Sequence, residues 1–134
     1  LRMTISLLQQ AGMQIKILDG EDSLQLIVPA FQVSNLAELN NELDVSSAFS
    51  LCAAAVVNGQ ARITNWSMSS VQPDKAFLVA FRKMNIHFEI NGNDLKIAKH
   101  NTWNSLEADL QNSPDLFPVL AVLCALGKGE SKLY

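Results

Sequence analysis

Asp44-Val45-Ser46-Ser47-Ala48-Phe49-Ser50-Leu51-Cys52-Ala53-Ala54-Ala55-Val56-Val57, closed by Asn58-Gly59, reads as a helix that is apolar on every side and headed by an aspartate. The pattern returns as Asp115-Leu116-Phe117-Pro118-Val119-Leu120-Ala121-Val122-Leu123-Cys124-Ala125-Leu126, with Gly129 just beyond it. A helix on the surface of a globular protein shows one apolar stripe, whereas one that is apolar all round has to be surrounded. Burying two such helices in 134 residues requires sheet on several sides. The sequence therefore predicts an α/β (α+β) fold with apolar helices inside and sheets outside.

The helices belong to a longer repeat. Before the first lies Leu7–Gly12, a helix end, then the alternating stretch Met13–Ile17 and a second strand, Leu24–Val28. Before the other come Ala80–Asn85, Ile86–Ile90 and Leu95–Ile97 in the same order. Ile15 corresponds to Phe88, Leu26 to Ile97, Asp44 to Asp115, Gly59 to Gly129 and Ile63 to Leu133, at an offset of about 70 to 73 residues. Solenoid periods are about 20–50 residues. A unit this large is a whole α/β layer.

Apolar residues make up 49% of the chain and charged ones 17%, which places it among globular sequences and not disordered ones. The net charge of −3 argues against a nucleic-acid surface. The apolar runs are of helix-core length, too short for a membrane span, and no signal peptide is visible, so the cytoplasm is the expected compartment. Cys52 and Cys124 sit inside the apolar helices and are expected to be buried, reduced thiols without metal-ligand spacing.

Along the chain, Leu1–Ala11 reads as a helix ended by Gly12, Met13–Leu18 and Leu24–Val28 as a hairpin across the turn Asp19–Asp22, and Phe31–Leu43 as a crossover. Ala61–Trp66 is an expected strand. A helix opens near Pro73, with Phe77, Ala80, Phe81 and Met84 on its apolar face. Ile86–Ile90 and Leu95–Ala98 form a second hairpin, His100–Asn112 is polar around Trp103 and Leu106, and Ser131–Tyr134 is a final strand.

The two aspartates are the candidate functional residues. Helix N-termini favour carboxylates through their free N–H groups and dipole, so both are expected to be N-caps; a catalytic base is the sharper reading. Ser46 and Ser47 could meet a phosphate at a helix start, but more often such serines fill the first turn. His87 alternates with Ile86 and Phe88 and points to solvent or a neighbouring sheet. His100 has no nucleophile at a recognisable spacing. Lys128–Lys132 follows a helix where a phosphate loop would precede one. Trp66 and Trp103 are expected to pack.

Three motifs carry a resemblance. Leu43-Asp44-Val45-Ser46-Ser47-Ala48 with Ala53-Ala54-Ala55 is similar to the Gly-Asp-x-Ser-Ser-Ala…Ala-Ala-Ala segment of the EPSP synthase (3-phosphoshikimate carboxyvinyltransferase) family. Ser70-Val71-Gln72-Pro73-Asp74, Phe77 and Lys83-Met84-Asn85 resemble its Ser-x-Gln-Gly/Pro-Asp…Phe…Lys-Met-Gly run. Asn112-Ser113-Pro114-Asp115-Leu116-Phe117-Pro118 resembles its Pro-Asp motif heading a helix. The resemblance implies two lobes, each of three βαβαββ units with helices inside. It implies transfer of the enolpyruvyl group of phosphoenolpyruvate to the 5-hydroxyl of shikimate 3-phosphate, without a metal or other cofactor. It also implies that Asp115 takes the proton of that hydroxyl and binds the shikimate ring, a role it gives to none of Asp44, Ser46 and Ser47.

On this resemblance residues 1–42 close one lobe repeat and cross over near Asn40–Leu43, while 43–134 begin the second lobe. The family's phosphate- and carboxylate-gripping Lys and Arg are expected before and after this stretch, including a Lys-Glu-x-x-Arg run beyond Tyr134. The chain alone is then expected to be inactive, to expose apolar helix faces and to self-associate. Leu43 and Asn85 stand where the family has glycine. The rival readings are a related transferase acting on a nucleotide sugar and a non-catalytic interaction module.

Overall fold

A computed structural model describes residues 1–20, 23–38 and 41–134. The chain divides into two compact units, Leu1–Asn41 and Glu42–Tyr134.

The first unit holds α1 (Arg2–Gln10), β1 (Lys16–Asp19) and β2 (Leu24–Ile27). Gly12, at φ +83°, ends the helix: its N–H donates to Gln9 O and that of Met13 to Leu8 O. The left-handed conformation is one that glycine adopts without steric cost. The strands pair antiparallel with Lys16 opposite Ile27 and Asp19 opposite Leu24. β1 starts three residues later than the alternation predicts. Gln14 is taken by the Gln32 side chain, which accepts from Gln14 N–H (2.6 Å) and donates to Gln14 O (3.1 Å). Glu21 and Asp22 of the expected turn and Asn40 of the expected crossover lie outside the described residues.

In the second unit α2 (Val45–Asn58) leads to β3 (Gln60–Ile63), a 3-10 turn (Pro73–Ala76), α3 (Phe77–Lys83), β4 (Phe88–Asn91), β5 (Asp94–Ala98), β6 (Glu107–Ala108), a second 3-10 turn (Pro114–Leu116), α4 (Phe117–Leu126) and β7 (Lys132–Leu133). Helix, hairpin, apolar helix and strand thus recur in the order the repeat predicts. β5 is the central strand of an antiparallel sheet ordered β3-β5-β4. Ile63, Leu95 and Ile90 fall in one row across it, and Arg62, Lys96 and Glu89 in the next. The alternation turns the first row to the core and the second to solvent. β6 and β7 pair in parallel. β3 stops at Ile63, short of the expected Trp66, because the chain turns through Asn65 at φ +59°.

The core gathers one face of α2 (Ala48, Phe49, Cys52, Val56), the aromatic residues Trp66, Phe77 and Phe81, the sheet residues Leu95 and Ile97, and Leu120 and Leu123 of α4. Phe77 stacks on Phe49 at 5.0 Å and meets Phe81 and Trp66 edge-on at 5.3 and 5.8 Å. Trp103 packs as expected, its Nε1–H donating to Leu123 O at 2.7 Å.

Within this chain each apolar helix is covered on one side and open on the other, as expected of a chain that alone exposes apolar helix faces. α2 leaves Leu51 60% exposed, and α4 leaves Val122 57% and Leu126 56% exposed. Each is buried on one side only among the described residues. The all-round apolar pattern reports how much surface a helix can bury, not whether partners for every side are present.

Candidate active site

The starts of three helical segments meet at one end of the second unit, tied by side-chain hydrogen bonds. Asp44 caps α2, accepting from Ser46 N–H at 3.2 Å and from the Ser47 hydroxyl. These bonds, the one from the Ser47 side chain first, hold its carboxyl below the ordinary value of 3.8. Val45 N–H donates to Gln72 Oε1 (3.0 Å), while Gln72 Nε2 donates to Leu43 O (2.7 Å) and Glu42 Oε2 (3.1 Å). Glu42 also accepts from Ser70 Oγ at 2.6 Å, and the bonds from Ser70 and Gln72 hold its carboxyl low as well.

The neighbouring Asp74 is buried and accepts from the Ser46 hydroxyl. Both serines of the first turn are therefore spent on carboxylates. The buried Ser113 donates through Oγ to Pro73 O at 3.1 Å and closes the set. Gln72, Asp74 and Ser113 hold this end of the unit together. The Gln-Pro-Asp and Ser-Pro-Asp sequences mark them, but nothing in spacing predicts the partners to which they bond.

Asp115 follows Ser113 by two residues and is exposed. It does not cap a helix as expected, and it is the second residue of the 3-10 turn, with α4 starting at Phe117. The cause is the pair of prolines. Pro118 has no N–H to donate to the carbonyl of Pro114 four residues back, and its ring excludes that carbonyl. Phe117 N–H takes it instead in an i→i−3 bond. The result is a carboxylate on a tight, anchored turn, with buried Leu116 behind it. The adjacent Pro114, with Leu110, Gln111, Phe117, Pro118 and Tyr134, lines an open, largely apolar recess of about 470 Å³ that Asp115 itself does not line. Such a group can accept a proton from a hydroxyl placed within hydrogen-bond reach.

The side chains joined at this end are acids, hydroxyls, an amide and an ammonium group. Lys75 supplies the last, donating to Met68 O and Ser70 O, and its charge also lowers the Glu42 carboxyl, whereas Arg62 pairs with Asp94 at 2.6 Å and Arg82 lies over the Phe88 ring at 5.3 Å. No group of three or more metal-binding side chains occurs among the described residues. The two histidines are stacked away from Asp115, on the outer face of the β3-β5-β4 sheet. His100 Nε2 accepts from His87 N–H at 2.9 Å, so its Nδ1 carries the proton donated to Ala98 O.

The family model of EPSP synthase (3-phosphoshikimate 1-carboxyvinyltransferase) matches residues 1–134. The chain belongs to the EPSP synthase family. A 3-phosphoshikimate 1-carboxyvinyltransferase of Methanococcus vannielii is 31% identical over 135 residues, covering all of this chain and 32% of that protein. Another, of Methanobrevibacter smithii, is 36% identical over 93 residues, which is 69% of this chain and 21% of that protein. The enolpyruvyl transferase NikO from Streptomyces tendae shares the fold, with a TM-score of 0.73 at 13% identity over 98% of this chain and 32% of NikO. This member of the EPSP synthase family spans about a third of the length of the relatives it matches. Of its two departures from the family's glycines, Asn85 adopts φ +59° and Leu43 does not enter that region. Asparagine reaches the left-handed conformation at low cost, so the turn after α3 survives the change.

Proposed function

We propose that this chain is the central part of an EPSP synthase, which transfers the enolpyruvyl group of phosphoenolpyruvate to the 5-hydroxyl of shikimate 3-phosphate and releases phosphate. Family membership over the whole chain is the observation that carries the reading. In it, Asp115 binds the shikimate ring and takes the proton of the attacking hydroxyl. Its exposure on a turn anchored by the buried Ser113 and Leu116 supports that role. Residues 1–42 end one lobe and 43–134 begin the other, and the division of the chain between Asn41 and Glu42 supports this boundary. The enzyme works in the cytoplasm. No helix of the described residues is long and apolar enough to cross a membrane.

Two polyanionic substrates require a convergent set of Lys and Arg side chains. The Asp115 end of this unit joins acids, hydroxyls, an amide and Lys75, which is already bonded to Met68 O and Ser70 O, so the chain by itself is inactive and the grip on phosphate comes from the rest of the enzyme. The test is turnover of shikimate 3-phosphate by the full-length enzyme carrying Asp115→Ala. A fall of about 100-fold or more in kcat is expected for a lost general base. Near-normal turnover would overturn the assignment, and measurable turnover by the 134-residue chain alone would overturn its inactivity.

A further inference from the structure

Ser113 has a job that its place in the sequence does not announce. It is 6% exposed, and its hydroxyl is committed to one acceptor, Pro73 O, 40 residues away in the chain. That carbonyl lies between two fixed points. Gln72 is bonded to Leu43 O and Val45 N–H, and Asp74 to the Ser46 hydroxyl. On its other side Ser113 sets the Asp115 turn directly: its N–H donates to Leu110 O at 2.9 Å, and its carbonyl accepts from Leu116 N–H at 3.1 Å. Asp115 therefore stands between a buried hydroxyl and a buried leucine. The hydroxyl supplies a side-chain bond that ties this turn to Pro73, whose neighbours Gln72 and Asp74 are in turn bonded to the start of α2.

We infer that Ser113 is a positioning residue for Asp115, registering the carboxylate through Pro73 against the first turn of α2. The inference rests on the reading of Asp115 as the base. Proton abstraction needs the carboxylate within about 2.6–3.2 Å of the hydroxyl, and a misplacement of about 1 Å can cost about 100-fold in rate. With Ser113→Ala, Pro73 O keeps no side-chain donor and the turn is free to shift while Leu116 stays buried. The loss falls on the position of Asp115 more than on the fold.

The experiment uses the full-length enzyme with Ser113→Ala, Ser113→Thr, Asp115→Asn and the Ser113→Ala/Asp115→Asn pair, each checked by thermal unfolding and assayed with both substrates at high enzyme concentration. Ser113→Ala is expected to lower kcat by about 10- to 100-fold, with KM for phosphoenolpyruvate within about two-fold of wild type. Ser113→Thr, which keeps the donor, restores most of the rate. In the Asp115→Asn background, removing the Ser113 hydroxyl changes kcat by less than about two-fold, because no base remains to be misplaced. If the extra methyl of threonine lowers the unfolding temperature, the pair of alanine comparisons decides. A wild-type kcat for Ser113→Ala beside a crippled Asp115→Asn overturns the positioning role alone. So does an equal loss in both backgrounds, which marks a merely structural residue. Near-normal turnover by Asp115→Asn overturns the base assignment, and the positioning role with it.

Discussion

Asp44 and Asp115 look interchangeable in the sequence and are not in the structure. Asp44 precedes an uninterrupted helix, so its carboxylate turns back onto Ser46 N–H and the Ser47 hydroxyl. Asp115 lies between Pro114 and Pro118, which force a 3-10 turn and leave its side chain outward. Only Asp44 is thus a stability residue. Replacing such a cap with alanine costs about 1 kcal/mol. Its folded carboxyl titrates below the ordinary 3.8, so the unfolded chain takes up the proton first as pH falls. The stabilisation is therefore complete above the ordinary value and is lost as pH drops through the lowered one. Asp44→Asn keeps an acceptor at the cap but cannot titrate. Urea unfolding of both proteins from about pH 6 to about pH 2.5 should show a stability difference that is constant at the upper end and shifts against the wild type below about pH 4. A difference that does not change over that range would refute the account.

At the scale of elements, what was legible depended on how far apart in sequence the cause lay. Alternation in Leu95–Ile97 and the spacing of Phe77, Ala80, Phe81 and Met84 are local signals, and β5 and α3 lie where they put them. Asn85 at φ +59° is local too, and it holds the end of α3, where Ile86 N–H donates to Phe81 O at 2.8 Å. The bonds that build the candidate site join Val45 to Gln72, Ser46 to Asp74 and Pro73 to Ser113. No periodicity encodes such long-range pairs, so the sequence marked Asp115 through resemblance and missed the residues that hold it. The elements themselves are welded by the aromatic cluster. Phe77, fully buried, touches Phe49 of α2, Phe81 of α3 and Trp66 beyond β3. Phe77→Ala should cost about 3–5 kcal/mol, a large share of the roughly 5–15 kcal/mol that holds a domain folded. Leu51→Ala, on the exposed side of α2, should change the stability of the monomer by less than about 0.5 kcal/mol. Urea midpoints followed by tryptophan fluorescence compare the two, and equal losses would show that Phe77 does not join these elements.

At the scale of the whole molecule, the chain carries more apolar helix surface than its own residues cover. α2 exposes Leu51 and Val57, α4 exposes Phe117, Val122 and Leu126, and α3 exposes Val79 at 52%. Single exposed apolar side chains are ordinary, whereas a contiguous apolar patch marks an interaction surface. The net charge of −3 is too small to keep copies apart by repulsion alone. We propose that the isolated chain self-associates through these faces. Light scattering over a dilution series should show the mean mass falling as concentration falls. The paired substitution Leu51→Lys and Val122→Lys should move the protein toward monomer, and at concentrations dilute enough for the wild type to be monomeric it should leave the unfolding midpoint unchanged, because there both side chains face solvent. A strictly monomeric wild type at high concentration would sink the proposal. An assembly unmoved by the two lysines would place the contact elsewhere and overturn the role of α2 and α4 in it.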